Sequence, residues 1–315
     1  MSLPISPPLS PQLARSRTSL PEGDGWAYEP KFDGFRALVF VDGDEVVIKS
    51  RNGKPLDRYF PEVVASLPAG RYVLDGEIVA ASFDTLGQRI HPAASRIERL
   101  SVETPARLIA FDLLAQADDV LMDLPYRIRR ERLEGAALSG GVLQDVELAP
   151  VVWSADAARG WLDTEEGVIA KQADAPYAPG ERTGMVKIKR VRTIDAVVVG
   201  WRPGKAEGTL GAIILGLYTP DGDLRVVGHS SGFSAKEKRE LPARLAPFES
   251  GERGTGEQSR WSAGKDLEWV GLRPELVVEI TFDHISDNRI RHGAKVQRWR
   301  DDKAPAECTT AQLDS

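Results

Sequence analysis

The sequence predicts an α+β protein in two parts: a first domain of antiparallel sheets with flanking helices over residues 1–192, and a small β-barrel over residues 193–315. Three observations carry this prediction. A chain of 315 residues outgrows a single hydrophobic core, so two domains are the better expectation. Short runs rich in Val, Ile, Leu and Phe, bounded by Gly, Pro and Asp, recur along the chain and read as strands. From Thr193 onward there are about five strands with one interposed helix in roughly 120 residues, the count of a Greek-key barrel.

The elements follow in order. Residues 1–25 are rich in Pro and Ser and read as an extended arm rather than a packed element. Phe35 to Val41 is apolar on both faces, "DGD" supplies a turn, and "EVVIKS" runs back, which makes a buried hairpin. Phe60, Val63, Val64 and Leu67 fall at i, i+3, i+4 and i+7, the stripe of an amphipathic helix. "RYVLDGEIVA" and "ARLIAFDLLA" are further strands, and "LPYRIRRERLE", with Pro125 in its first turn, reads as a basic surface helix. "EEGVIAK" and "GMVKIKR" close the first part as two short strands.

In the second part "IDAVVVGWRPG", "GAIILGLYTPDGDLRVVGHS" and "ELVVEITFDH" give strands. Ser234, three residues before Glu237, is a capping-box signature, and Pro242 should limit the helix that follows. A barrel of the oligonucleotide-binding type (OB-fold) fits this order, and other small barrels fit nearly as well.

Composition excludes several classes. No run approaches the roughly 18 apolar residues of a membrane span, and the N-terminus has no apolar signal core, so a cytoplasmic protein is expected. The single cysteine, Cys308, rules out an internal disulfide framework and a cysteine-held zinc. His91, His229, His284 and His292 lack metal-site spacing. The net charge of −6 argues against a protein that coats nucleic acid, yet the basic residues are clustered. Seven Lys/Arg stand against one acid between Arg182 and Lys205, and six against two between Arg289 and Lys303. A solvated face is the ordinary reading of such runs.

Candidate chemistry starts at "EPKFDGFRALVF". An amine is a nucleophile only when unprotonated, and burial beside other cations favours that form. "KFDG" sets Lys31 at the mouth of a buried strand, and alternation puts Lys187 and Lys189 on one face of theirs. Taken alone, Lys31 also reads as a surface lysine edging a strand. Glu77 in "LDGEIV" and Glu166 in "EEGVIAK" are carboxylates in apolar strand text; either a salt bridge or Mg²⁺ explains them. Phe111 is either core or a face on which a base stacks.

The ordered set "EPKFDGFR", "SRNG", "LDGEIV", "FDLL", "EEGVIAK", "MVKIK" and "RWRDDK" resembles the ATP-dependent DNA ligases of the covalent nucleotidyltransferase superfamily. "GDGWAYEPKFDGFR", "RIHPAASR" and "LRPELVVEITFDH" are similar to the bacterial ligase C type in particular. The resemblance runs from Trp26 to Lys303. It implies a nucleotidyltransferase (adenylation) domain followed by an OB-fold barrel, with ATP and Mg²⁺, or alternatively Mn²⁺, as cofactors.

By the same resemblance Lys31 attacks the α-phosphate of ATP and carries AMP. Glu29 sits at the adenine edge, Phe111 stacks on the ring, Glu77 serves the ribose or the metal, and Glu166 the metal. Arg36, Lys171, Lys187 and Lys189 neutralise phosphate charge, and Arg51 lies near the nick phosphates. Arg300, Asp302 and Lys303 close the barrel onto ATP for the first step, with a hinge near Val191 to Thr193. The implied partner is nicked double-stranded DNA, gripped without the helical domain of larger ligases, beside separate gap-filling and end-processing repair enzymes. A monomer without membrane contact is expected. An RNA ligase or capping-type guanylyltransferase shares much of this chemistry, and a catalytically silent nucleic-acid-binding module is the alternative from another class.

Overall fold

The fold was obtained as a computed structural model, which describes residues 2–138, 140–256, 267–283, 285–286, 289–290 and 293–313. His284 and His292 lie outside the described residues. Contacts divide the chain into two units, Met1–Arg190 and Val191–Ser315, two residues ahead of the boundary drawn from sequence.

The first unit runs β1 (Arg15–Arg17), β2 (Trp26–Pro30), β3 (Phe35–Gly43), β4 (Glu45–Ser50), α1 (Pro61–Ser66), β5 (Gly70–Val79), α2 (Phe83–Gln88), α3 (Ala94–Glu103), β6 (Arg107–Gln116), β7 (Asp119–Val120), α4 (Tyr126–Ala137), β8 (Glu147–Leu148), α5 (Ala155–Ala158), α6 (Trp161–Thr164), β9 (Gly167–Gln172) and β10 (Met185–Lys189). Two sheets result, ordered β4-β3-β5-β6-β7 with β8 beside β6, and β1-β10-β9-β2. In the larger sheet the alternation of the strands divides the core. Ala37, Val39 and Val41 face α1 and α4 with Phe60, Val63 and Leu133, while Leu38 and Phe40 face the other way with Val73, Leu114 and Tyr177.

Two expectations for this unit are corrected. The first 25 residues are extended but packed: β1 pairs in parallel with β10, and Ile5, Gln12 and Leu20 are buried. Prolines deny this segment a helix, yet its apolar residues still find cores to enter. Helix α4 is not a basic surface helix, because Arg129 and Arg130 are buried along with Tyr126 and Leu133. Burial is tolerated because Arg129 makes a two-bonded pair with the buried Asp112 at 2.8 and 2.9 Å, and Arg130 bonds Glu134 at 2.6 Å.

The second unit contains β11 (Arg192–Pro203), β12 (Leu210–Tyr218), β13 (Leu224–Ser230), α7 (Ala235–Leu245), β14 (Glu249–Gly256), β15 (Leu267–Leu272), β16 (Val277–Phe282), β17 (Ile285–Ser286), β18 (Arg289–Ile290) and β19 (Lys295–Trp299). Strand β11 pairs with β16 along Arg192 to Val197, then with β15 at Gly200 and Trp201, while β12 runs along its other edge. A register shift between Val198 and Gly200 bends the strand so that it can serve both ladders. Gly200 is required there, since a Cβ would sit 2.8 Å from the Val270 carbonyl oxygen. The enclosed core gathers Ile194, Val198, Ile213, Leu215, Val278 and Ile280.

Helix α7 begins with the expected capping box, Ser234 Oγ accepting from Glu237 N–H at 3.2 Å and Glu237 accepting from Ser234 N–H at 2.7 Å. It ends at Leu245, three residues past Pro242, whose ring denies the last turn one backbone N–H. Among the described residues no helix is long and apolar enough to cross a membrane.

Candidate active site

The loop between β2 and β3 places Lys31. Its backbone N–H donates to the Gly167 carbonyl at 2.9 Å, which fixes the loop to the start of β9. Gly34 then lets β3 enter the sheet: a Cβ at this position would lie 2.2 Å from Ile78 O and 2.8 Å from Glu77 Cγ. The β3–β5 register pairs Arg36 with Glu77, so both side chains leave the same face of the sheet.

Together the two sheets wall a cavity of about 790 Å³. Of the residues expected at the site, Glu29, Lys31, Arg36, Arg51, Glu77, Phe111, Lys171 and Lys187 line it. Glu166 and Lys189 are not among its lining residues. Glu166 precedes Gly167, and its carbonyl accepts from Arg190 N–H at 3.2 Å; Lys189 pairs with Gly167 in the β9–β10 ladder. Arg300, Asp302 and Lys303 belong to the second unit.

Glu29 is buried and takes Lys171 Nζ at 3.0 and 2.9 Å on its two oxygens, while the Tyr126 hydroxyl donates to Oε1 and Arg130 stands 3.9 Å away. Burial, followed by the adjacent Glu29, keeps the Tyr126 hydroxyl protonated well above its usual range. Lys171 also donates to Phe111 O at 3.2 Å and lies over the Phe111 ring at 4.7 Å; Arg36 lies over the same ring at 4.6 Å. Phe111 is therefore an aromatic surface flanked by two cations.

Arg36 grips the fully buried Asp75 through two bonds of 2.5 and 2.6 Å. Burial works against its charge, and Asp75 more than offsets this, so its pKa moves upward. Burial pushes the Glu77 carboxyl up to about 7 despite the opposing pull of Arg36 and Lys31. Burial, with Lys189, Arg51 and Lys31 behind it, holds the Lys187 ammonium below its usual value.

The cavity is thus built for a polyanion with an aromatic-binding end. Lys31, Arg36, Arg51, Arg182 and Lys187 all reach its wall, and the Phe111 ring supplies a stacking surface near the buried Glu29. Among the described residues no group of three or more His, Cys, Asp and Glu stands ready to hold a metal. Mg²⁺ needs no such cage when substrate phosphates complete its shell; the carboxylates that line the cavity are Glu29, Asp33 and Glu77.

In the second unit Arg300 Nη1 bonds Asp195 at 2.9 and 3.1 Å and lies 3.5 Å from Glu279, while its other nitrogens bond Asp302 at 2.9 and 3.0 Å. The hydrogen bonds from Arg300 hold the Asp302 carboxyl at about 2. Lys303 reaches Glu307 at 3.5 Å.

Sequence reasoning missed Asp75, Tyr126, Arg130 and Tyr177. Asp75 carried a readable signal, a second acid two residues before Glu77 on the same face of a strand. Tyr126 and Arg130 carried one as well, falling at i and i+4 with Leu133 at i+7, the buried stripe of α4. Nothing local marks Tyr177.

Comparison with known proteins agrees with the geometry. Residues 11–189 match the ATP dependent DNA ligase domain, and residues 206–303 match the ATP dependent DNA ligase C terminal region. DNA ligase C1 of Mycolicibacterium smegmatis is 45% identical over 100% of this chain and 96% of its own length, and DNA ligase C of Mycobacterium tuberculosis is 42% identical over the same shares. Among solved structures, the ligase domain of M. tuberculosis LigD is similar at 29% identity and a TM-score of 0.51, covering 96% of this chain and 98% of that one. A Lig E DNA ligase shares the fold at 18% identity, with a TM-score of 0.56 and coverage of 92% and 99%. An adenylation domain followed by an OB-fold region, with a lysine at the mouth of a cation-walled cavity, fits these matches in order along the whole chain. The chain belongs to the ATP-dependent DNA ligases and is of the ligase C type.

Proposed function

We propose that this ATP-dependent ligase seals nicks in double-stranded DNA through a Lys31–AMP intermediate. The observation that supports it most directly is the placement of Lys31 in a cavity shared with Arg36, Lys171, Lys187, Glu77 and the Phe111 ring. In the first step Lys31 Nζ bonds to the α-phosphorus, and the bond from that phosphorus to the bridging oxygen breaks, releasing pyrophosphate. AMP then passes to the 5′-phosphate at a nick. The 3′-hydroxyl displaces AMP, forming the phosphodiester.

The protein's part is positioning and electrostatics. Phe111 stacks on adenine, and the Glu29–Lys171–Tyr126 network fixes the base end. Arg36 and Lys187 offset charge building on the phosphates. Glu77 would hold Mg²⁺, or Mn²⁺ in its place, which would supply positive charge to the phosphate oxygens. Glu166 would be the second metal carboxylate, and Lys189 adds to the positive field felt by Lys187. Arg51 contacts nick phosphates, and Arg300, Asp302 and Lys303 serve the adenylylation step. The protein works as a cytoplasmic monomer in DNA repair, beside separate end-processing and gap-filling enzymes.

A nick-sealing assay with ATP on wild type and Lys31→Ala tests the reading. Wild type seals and gains about 329 Da, as expected for AMP attached in place of one proton, whereas the variant does neither. Sealing by Lys31→Ala with ATP would overturn it.

A further inference from the structure

The N-terminal segment is built into the wall of the active site. Pro11, Gln12, Leu13, Ala14 and Ser16 line the same cavity as Lys31 and Lys187. Backbone bonds hold the segment on one side, with Leu13 N–H donating to Glu181 O at 2.8 Å and Gly180 N–H to Pro11 O at 3.2 Å. The Gln12 side chain adds a bond from Nε2 to Thr183 O at 2.5 Å. Beyond it, Ser16 lies in register with Lys187.

A closed ring of hydrogen bonds joins this segment to Arg36. The Gln12 N–H donates to the Tyr177 hydroxyl at 3.0 Å, and that hydroxyl donates to Asp75 Oδ2 at 2.6 Å. Asp75 holds Arg36 at 2.5 and 2.6 Å, and Arg36 Nη2 returns to the Gln12 carbonyl at 3.4 Å. Gln12, Asp75 and Tyr177 are all buried. A guanidinium held this way has its fork direction set by the carboxylate and its remaining freedom limited by a backbone carbonyl 24 residues away in sequence. Residues from three distant parts of the chain must therefore be docked before Arg36 is in place.

We propose that residues 11–14 form a clasp over the nucleotide pocket, in which Gln12 and Tyr177 are positioning residues that fix Arg36 for ATP. The inference rests on the reading of Arg36 as a nucleotide contact. Loss of the clasp leaves Lys31 and its chemistry intact but lets Arg36 swing, so ATP binds more weakly. A purely structural role would lower stability without changing the ATP concentration needed for half-maximal adenylylation.

The test is single-turnover adenylylation of Lys31 as a function of ATP concentration, with thermal unfolding measured in parallel, on Tyr177→Phe, Gln12→Met, Arg36→Ala and the Tyr177→Phe/Arg36→Ala double variant. Tyr177→Phe should raise half-saturation by about tenfold, with a smaller loss in the limiting rate, as the loss of a hydrogen bond to a charged network allows. Gln12→Met keeps the backbone bonds of the ring and removes only the anchor to Thr183 O, so it should raise half-saturation by a smaller factor of about threefold. The double variant should match Arg36→Ala, since Tyr177 acts through Arg36. Half-saturation within about twofold of wild type in both Tyr177→Phe and Gln12→Met overturns the clasp, as does a Tyr177→Phe effect that adds in full to that of Arg36→Ala. If Arg36→Ala itself leaves half-saturation unchanged, the underlying assignment of Arg36 fails instead.

Discussion

Lys171 Nζ lies 3.0 and 2.9 Å from the two carboxylate oxygens of Glu29, and both side chains are buried. The pair joins neighbouring strands at the base end of the cavity. Removing Lys171 leaves the Glu29 carboxylate buried, with the Tyr126 hydroxyl bonded to it and Arg130 at 3.9 Å. Lys171→Met should destabilise the fold by about 3 kcal/mol, whereas Glu29→Gln/Lys171→Met should recover part of that loss because no unpaired charge remains. Urea denaturation midpoints decide it; equal stability of the single variant and wild type would count against the buried pair.

Gly34 is a packing requirement as much as a turn residue. The nearest atom to an added Cβ is a backbone carbonyl at 2.2 Å, which cannot rotate away as a flexible side chain would. Gly34→Ala should cost about 2 kcal/mol through displacement of β3 from β5. The same displacement shifts Lys31 and Arg36, so adenylylation should fall at temperatures where the variant is still folded. Circular dichroism paired with the adenylylation assay checks both.

Glu77 predicts a pH dependence with a defined sign. Its folded value of about 7 lies above the ordinary 4.5, so between them the folded chain keeps a proton that the unfolded chain has lost. Its contribution to stability is full below 4.5 and disappears as pH rises through 7. Metal binding runs the opposite way, because a protonated carboxyl is a poor ligand. The Mg²⁺ concentration needed for half-maximal adenylylation should fall as pH rises through 7, and Glu77→Gln should abolish that dependence. A wild-type requirement that stays flat from acid to mildly alkaline pH would remove Glu77 from the metal site.

Much of this site was legible because its chemistry lies in short contiguous motifs. Lys31, Gly34 and Arg36 sit within six residues and all line the cavity, whereas of Lys187 and Lys189, which alternation put on one face, Lys187 alone is among the lining residues. The misread parts depend on long-range partners. Arg129 and Arg130 read as surface charge until Asp112 and Glu29 are brought near them by the fold. Gln12 and Tyr177 are 165 residues apart and share no local pattern. The Pro- and Ser-rich composition of residues 1–25 read as an arm that does not pack, yet β1 pairs with β10 and Ile5, Gln12 and Leu20 are buried. Composition carries backbone conformation well and tertiary hydrogen bonding poorly.

The phosphate end of the cavity should be strained by its own charge until an anion arrives. Lys187 is held below its usual value by burial and then by Lys189, Arg51 and Lys31, so its charged form is disfavoured in the folded chain. A depressed value of this kind means that the ligand-free fold gains from this group as pH rises toward 10.5 and loses that gain as pH falls. Phosphates reverse the balance by giving the clustered cations a counter-charge. ATP without Mg²⁺ should therefore raise the unfolding temperature of wild type, in a manner that saturates with concentration. Lys187→Met should leave the ligand-free unfolding temperature equal or higher, since it removes a repelled charge, while shrinking the shift produced by ATP. Thermal unfolding across an ATP series at neutral pH measures both quantities. A lower ligand-free temperature combined with an undiminished ATP shift would mean that Lys187 supports the fold and takes no part in holding phosphate.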